Sequence, residues 1–128
     1  MSVIVSAGAG RVVTLSDLVG EPIHDYAAGT TIAGTEVTVL TVTVAAGKKR
    51  RLTQCLMSSS VVGKMVVKLN GNVIGVVRTS PAELNPAFNW LPAKPITASD
   101  TVAVTFTARA SSPSADIEVF LHSAQTDL

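Results

Sequence analysis

A chain of 128 residues with 47% hydrophobic content and a formal net charge of +1 is long enough to bury one core. It offers no global field to recruit nucleic acid or an acidic membrane. Its single cysteine, Cys55, excludes an internal disulfide, and its place in an apolar run reads as a buried thiol. The start, MSVIVSAGAGR, lacks the basic head and long apolar core of a secretory signal. The weakly charged region Ala27–Gly47 alternates like a strand rather than running apolar like a membrane span. A soluble protein made in the cytosol is expected.

Residues 1–35 are the least regular part. Val3–Val5 and Arg11–Leu15 are predicted as short strands separated by the flexible run Ser6–Gly10. Ser16–Val19 starts a helical turn that Gly20 and Pro22 stop. Ala28–Thr31 and Ala33-Gly34 read as loop. The segment is expected to be an N-terminal arm along a neighbouring subunit or an ordinary edge of the domain, with residues 36–128 forming the domain proper.

Glu36–Val44, EVTVLTVTV, is a strand whose apolar residues switch parity between Val39 and Leu40. The switch predicts a β-bulge there or a strand apolar on both faces. Lys48–Ser58 follows, basic at its head and apolar through Leu52, Cys55, Leu56 and Met57. Ser58–Gly63 is a polar turn with Val61 and Val62 tucked in. Lys64–Arg78 is a hairpin, because Asn70-Gly71-Asn72 between two β-branched runs supplies residues that tolerate positive φ. Its parity puts Met65, Val67, Leu69, Val73 and Val77 inward and Lys64, Lys68 and Arg78 in solvent.

Thr79–Pro95 contains Pro81, Pro86, Pro92 and Pro95. Proline removes ladder donors, so a long loop is expected, with at most a short edge strand at Phe88–Trp90 and both aromatics plugging the core. Ile96–Asp100 turns into Thr101–Ala108, where Val102, Val104 and Phe106 alternate inward. The last strand, Asp116–Ser123, buries Ile117, Val119 and Leu121, and Gln125–Leu128 is a short tail. About seven or eight strands at regular turn spacing predict an all-β, jelly-roll-like antiparallel β-sandwich with an irregular N-terminal segment.

Chemistry-bearing patterns are sparse. His24 and His122 stand far apart in sequence, and no HxH, HExxH or CxxC spacing supports a metal site. Cys55 sits mid-strand rather than in an electropositive pocket, which argues against a Cys–His dyad. The carboxylates are scattered, and Gly8 and Gly10 open no phosphate-cradling motif. No catalytic residue, cofactor or metal is expected, and the chain reads as a non-enzyme. Lys48-Lys49-Arg50-Arg51 is the sharpest charge feature. On a strand these four alternate between faces, marking a solvated strand entrance or a guarded sheet edge, or else contacts to an acidic partner surface. No aromatics interleave with them for base stacking, so nucleic acid is not the expected partner. Tyr26 and Trp90 are the candidates for a carbohydrate platform, and Trp90 reads as core.

Three runs, VTVAAGKKRRLTQCLM (42–57), VVKLNGNVIGVVRTS (66–80) and FNWLPAKPITASDTVAVTFTA (88–108), with the closing DIEVFLHS, resemble the small jelly-roll virion proteins of tailed bacteriophages. Capsid decoration (cement) proteins are the most similar, with tail-fibre and collar jelly rolls next. The resemblance implies a non-catalytic dimer or trimer seated on the capsid surface, its partner the major capsid protein or another virion protein. It implies an extended N-terminal segment that sometimes makes the contact. The alternative is a receptor- or glycan-binding jelly roll of a tail fibre or adhesin.

Overall fold

The structure, a computed structural model, describes residues 4–6, 12–14 and 20–128. Ile4–Ser6 (β1) and Val12–Thr14 (β2) pair antiparallel, with Ile4 opposite Thr14. Eight further strands follow: Glu21–Thr30 (β3), Glu36–Thr43 (β4), Lys48–Ser59 (β5), Gly63–Leu69 (β6), Asn72–Arg78 (β7), Ala87–Thr97 (β8), Thr101–Ala108 (β9) and Asp116–Asp127 (β10). They form two four-stranded antiparallel sheets, ordered β3-β10-β5-β8 and β4-β9-β6-β7. The predicted flexible residues 7–10 and the predicted helical turn at 16–19 lie outside the described residues.

The pairs β3·β10, β4·β9, β5·β8 and β6·β7 are nested, each enclosing the next. The body is therefore one long antiparallel hairpin rolled into two sheets, the jelly-roll topology. Its innermost turn is Asn70-Gly71, with φ of 50° and 85°. Positive φ at both central residues is the hairpin geometry that matches strand twist, and Asn and Gly adopt it at least cost. The Asn70 side chain holds the neighbouring turn as well: Nδ2 donates to Asp100 Oδ1 at 2.9 Å, and the Thr101 amide donates to Asn70 Oδ1 at 2.9 Å.

The core lies between the sheets. Leu52, Cys55 and Met57 (β5) and Ile117, Val119 and Leu121 (β10) face Met65 and Val67 (β6) and Val102, Val104 and Phe106 (β9), all buried. Period-2 alternation delivers these side chains to one face, and burying each large one contributes about 1.5–3 kcal/mol. Trp90 closes one margin: it is buried, and its indole N–H donates to Ile74 O at 3.1 Å, tying β8 to β7. The predicted bulge near Val39 is present as a register shift between Thr38 and Leu40.

Several expectations are corrected. Ala28-Gly29-Thr30 are strand, not loop, because β10 offers β3 an unbroken ladder from Thr30 opposite Asp116 to Glu21 opposite Gln125. Tertiary pairing here overrides the low strand propensity of Ala and Gly. β10 likewise runs on to Asp127 instead of ending in a tail at Gln125. The proline-rich segment forms an eleven-residue strand, β8, which tolerates proline because it is the last strand of its sheet. Its register on β5 jumps from Lys94 opposite Leu52 to Asn89 opposite Gln54, so Trp90–Ala93 stand opposite Thr53 alone. Val73 is exposed rather than inward: a bulge between Val73 and Gly75 makes Ile74 the extra residue, and Ile74 packs on the core instead. Finally, β5 lies between β10 and β8, so its basic head guards no sheet edge.

Candidate functional site

Alternation that sends Leu121 and Cys55 to the core sends their neighbours to the outer face of the β3-β10-β5-β8 sheet. Because β10 pairs with β3 on one side and β5 on the other, outward residues align in rows. One row is His24, His122 and Gln54; the next is Tyr26, Phe120 and Leu56. The rings touch across the strands. His24 and His122 have centroids 4.4 Å apart at 80°, and Tyr26 and Phe120 have centroids 4.8 Å apart at 46°. Directly opposed aromatic pairs are the unit of stabilisation on a sheet surface. Tyr26 nevertheless keeps 53% of its surface in solvent.

The electrostatics follow from that crowding. Partial desolvation, with the charge of His24 second, holds the His122 imidazole below its ordinary value. Desolvation, followed by the charge and hydrogen bond of Glu118, raises the Tyr26 phenol. Beside the histidines lies a cleft of about 360 Å³, lined among others by Pro22, His24, Arg51, Thr53, His122 and Ser123. The Ser123 hydroxyl is buried and makes no hydrogen bond within the protein.

The basic tetrad divides as strand parity requires. Lys48 pairs with Asp127. Arg50 Nη1 donates to Asp25 Oδ2 at 2.9 Å and its Nε donates to Gln125 Oε1 at 2.9 Å, so the guanidinium links β5 to both β3 and β10. Lys49 and Arg51 stand on the outward parity and are exposed. With Arg50, they line a second cleft of about 420 Å³ together with Pro95, Ile96, Thr126 and Asp127. Lys48 and Arg50 thus engage side chains of neighbouring strands, the first in solvent and the second half-buried, while Lys49 and Arg51 are presented at the end of the aromatic–histidine face.

The remaining sequence candidates separate. Cys55 is buried on the inner face, where burial pushes its thiol up to about 12, and its Sγ lies 3.9 Å from Met65 Sδ. Trp90 is core. Gly8 and Gly10 lie outside the described residues. The Asp25 carboxylate is held by Arg50, and Glu36 is held by Thr105 and Lys68. Among the described residues, no group of three or more His, Cys, Asp or Glu gathers to hold a metal ion. Sequence reasoning missed the contact between His24 and His122. The signal lay in the outward parity of both, but only if residues 21–30 are taken as a strand opposite the last one.

No family model matches the chain, and no curated protein matches it. Among solved structures it is similar to three chains of differing kind. One is the insecticidal delta-endotoxin Cry8Ea1 from Bacillus thuringiensis (TM-score 0.38, 17% identity, 85% of this chain and 20% of that one). Another comes from the structure of infectious bursal disease virus, Gx strain (TM-score 0.37, 11% identity, 96% and 36%). The third is a glycoside hydrolase family 43 arabinoxylan arabinofuranohydrolase from Bacillus subtilis in complex with cellotetraose (TM-score 0.34, 14% identity, 98% and 33%). This chain spans only about a fifth to a third of each. Likenesses this distant concern strand architecture and assign no activity.

Proposed function

We propose that this chain is a virion structural protein of a tailed bacteriophage, a decoration or cement protein that binds and stabilises the outer capsid shell. Two lines support the reading: the sequence runs that resemble such proteins, and the jelly-roll topology. The observation that carries it is the outer face of the β3-β10-β5-β8 sheet, where Tyr26, Phe120 and Leu56 form an apolar row in solvent beside exposed Lys49 and Arg51. An aromatic row with a cationic margin has the composition of a docking surface. The partner is the major capsid protein or another virion protein, and the chain acts as a dimer or trimer, since homo-oligomers are usually symmetric. It works without catalysis, by burying surface across capsid subunits and so favouring the assembled shell by mass action. Purified protein added to bare capsids should bind and raise their disruption temperature. No binding and no shift would overturn the proposal.

One observation favours a second reading, a receptor- or glycan-binding jelly roll of a tail fibre or adhesin. Tyr26 is an exposed aromatic ring in the row next to His24, and His24 lines a largely apolar cleft that Arg51 and Thr53 also border. A glycan array with reproducible hits that disappear in Tyr26→Ala would favour it over the capsid role, and an array without hits would count against it.

A further inference from the structure

We propose that His24 and His122 form a two-histidine site for a divalent transition-metal ion on the outer face of the β3-β10-β5-β8 sheet. The two residues are direct cross-strand partners in the β3–β10 ladder. Their ring centroids are 4.4 Å apart. The contact is edge to face at 80°, and the terminal torsion of histidine is broad. A modest turn of the rings therefore points one nitrogen of each toward a shared centre. An ion about 2.0–2.1 Å from each nitrogen bridges imidazoles at this spacing. Neutral imidazole suits Zn²⁺, Ni²⁺ and Cu²⁺.

The surroundings define what kind of site this is. His24 is exposed and His122 half-buried, and both line the same open cleft, so water completes the coordination sphere. Gln54 lies across the ladder on the far side of His122, where its amide oxygen can orient the second ring nitrogen. Arg51 shares the cleft, and its positive charge opposes the ion, which makes this an exchangeable site rather than a structural one. The two ligands belong to the edge strand and its neighbour, so a bound ion fastens β3 to the sheet. The Cys55 thiol is buried on the opposite face and raised to about 12, so it does not compete for the ion.

The test uses the full chain without an added histidine tag, since the protein contains only two histidines of its own. Titration calorimetry with Zn²⁺ and with Ni²⁺ at about pH 7.5, above the ordinary range of histidine, should show uptake of one ion per chain. His24→Gln and His122→Gln should each weaken it at least about tenfold, the loss that even outer-shell changes cause. Zn²⁺ should raise the melting temperature of the native chain and of neither variant, and uptake should fall on acidification to about pH 5, because protons compete with the ion for imidazole nitrogen. His24 is exposed and His122 half-buried on the outer face, so without metal both variants should still fold and melt cooperatively. An absence of uptake, equal uptake by the variants, or uptake unchanged at the lower pH would each overturn the proposal.

Discussion

The two sheets share one core but present opposite kinds of outer face. On the β4-β9-β6-β7 sheet the outer face sets bonded threonine and charge beside the exposed Val73 and Val76: Thr105 Oγ1 donates to Glu36 Oε2 at 2.8 Å, Lys68 Nζ lies 3.1 Å from the same oxygen, and Thr43 meets Thr101 at 3.1 Å. These polar groups are answered by side chains of neighbouring strands. On the β3-β10-β5-β8 sheet the outward rows are His24, His122, Tyr26, Phe120 and Leu56. Both faces expose apolar side chains, but only the second brings aromatic rings into cross-strand contact and leaves histidine nitrogens exposed. If the molecule has one binding face, those rings favour the second.

The largest expected effect tests the shared core. Phe106 is buried at its centre and also abuts Gly63, where an added Cβ would lie 2.5 Å from its Cζ and 2.4 Å from Thr107 O. Phe106→Ala should cost about 3–5 kcal/mol in denaturant unfolding, through lost burial and the cavity left behind. Gly63→Ala fails from the opposite side, by overpacking at about 1–3 kcal/mol or more. Trimming Phe106 should not fully rescue it, because a backbone oxygen stands in the way. A wild-type melting curve for Gly63→Ala would break the close approach of β6 and β9 described above.

The next effect concerns the ion pair beneath the binding face. Arg50 joins Asp25 and Gln125 in a half-buried network. Arg50→Ala should cost about 1.5–3 kcal/mol, the worth of hydrogen bonds to a charged group. Lys49→Ala, on the exposed parity, should stay within about 0.5 kcal/mol. For partner binding the order reverses: Lys49→Ala and Arg51→Ala should weaken capsid binding, and the loss should shrink as salt is raised. A stability loss at Lys49 matching that at Arg50 would erase the distinction between internal and presented charges.

A smaller stability effect with a larger functional one sharpens the comparison directly. Phe120→Ser with Tyr26→Ser removes the cross-strand ring contact on the first sheet, worth about 0.5–1.5 kcal/mol beyond the area that the rings bury. It should abolish binding to capsids. Thr41→Ser with Thr43→Ser on the second sheet should leave binding unchanged. Retained binding in the first pair would remove this face from the proposal.

How much of this was legible beforehand depended on whether a residue's role is local or set by the roll. Val102, Val104 and Phe106, or Ile117, Val119 and Leu121, alternate within one strand, and their burial follows from period 2 alone. Asn70-Gly71 is equally local, since the turn needs two residues that accept positive φ. Val73 was misplaced because a bulge reverses parity within a strand, and nothing in NVIGVVR announces it. β3 was missed because EPIHDYAAGT has little intrinsic strand preference; its conformation comes from β10, almost a hundred residues away. That one omission hid the candidate site. Without β3, His24 has no partner, Tyr26 has no Phe120 beside it, and Arg50 has no Asp25.

The two faces should also part company in acid, in opposite windows. On the first sheet, His122 is held below its ordinary 6.5 by desolvation and then by His24. The unfolded chain therefore binds more protons than the folded one as pH falls below 6.5, and stability declines until the folded imidazole has itself titrated. Charged groups sharing this face include Lys49 and Arg51 at one end, Glu118 beside Tyr26, and Asp116 beyond it. On the second sheet, the hydrogen bond from Thr105 and then the one from Lys68 hold Glu36 below 4.5. Its contribution is intact above 4.5 and is lost only as pH falls through the lower folded value. Asp100 behaves likewise from 3.8, held down by the Thr97 amide and then by Asn70. Melting temperature against pH should accordingly show a shallow early decline and a separate late one. His122→Gln should remove the first and spare the second, while Glu36→Gln should reduce only the second. A single decline that both substitutions shift together would mean that the two faces are not electrostatically independent, and the contrast between them would lose its simplest physical expression.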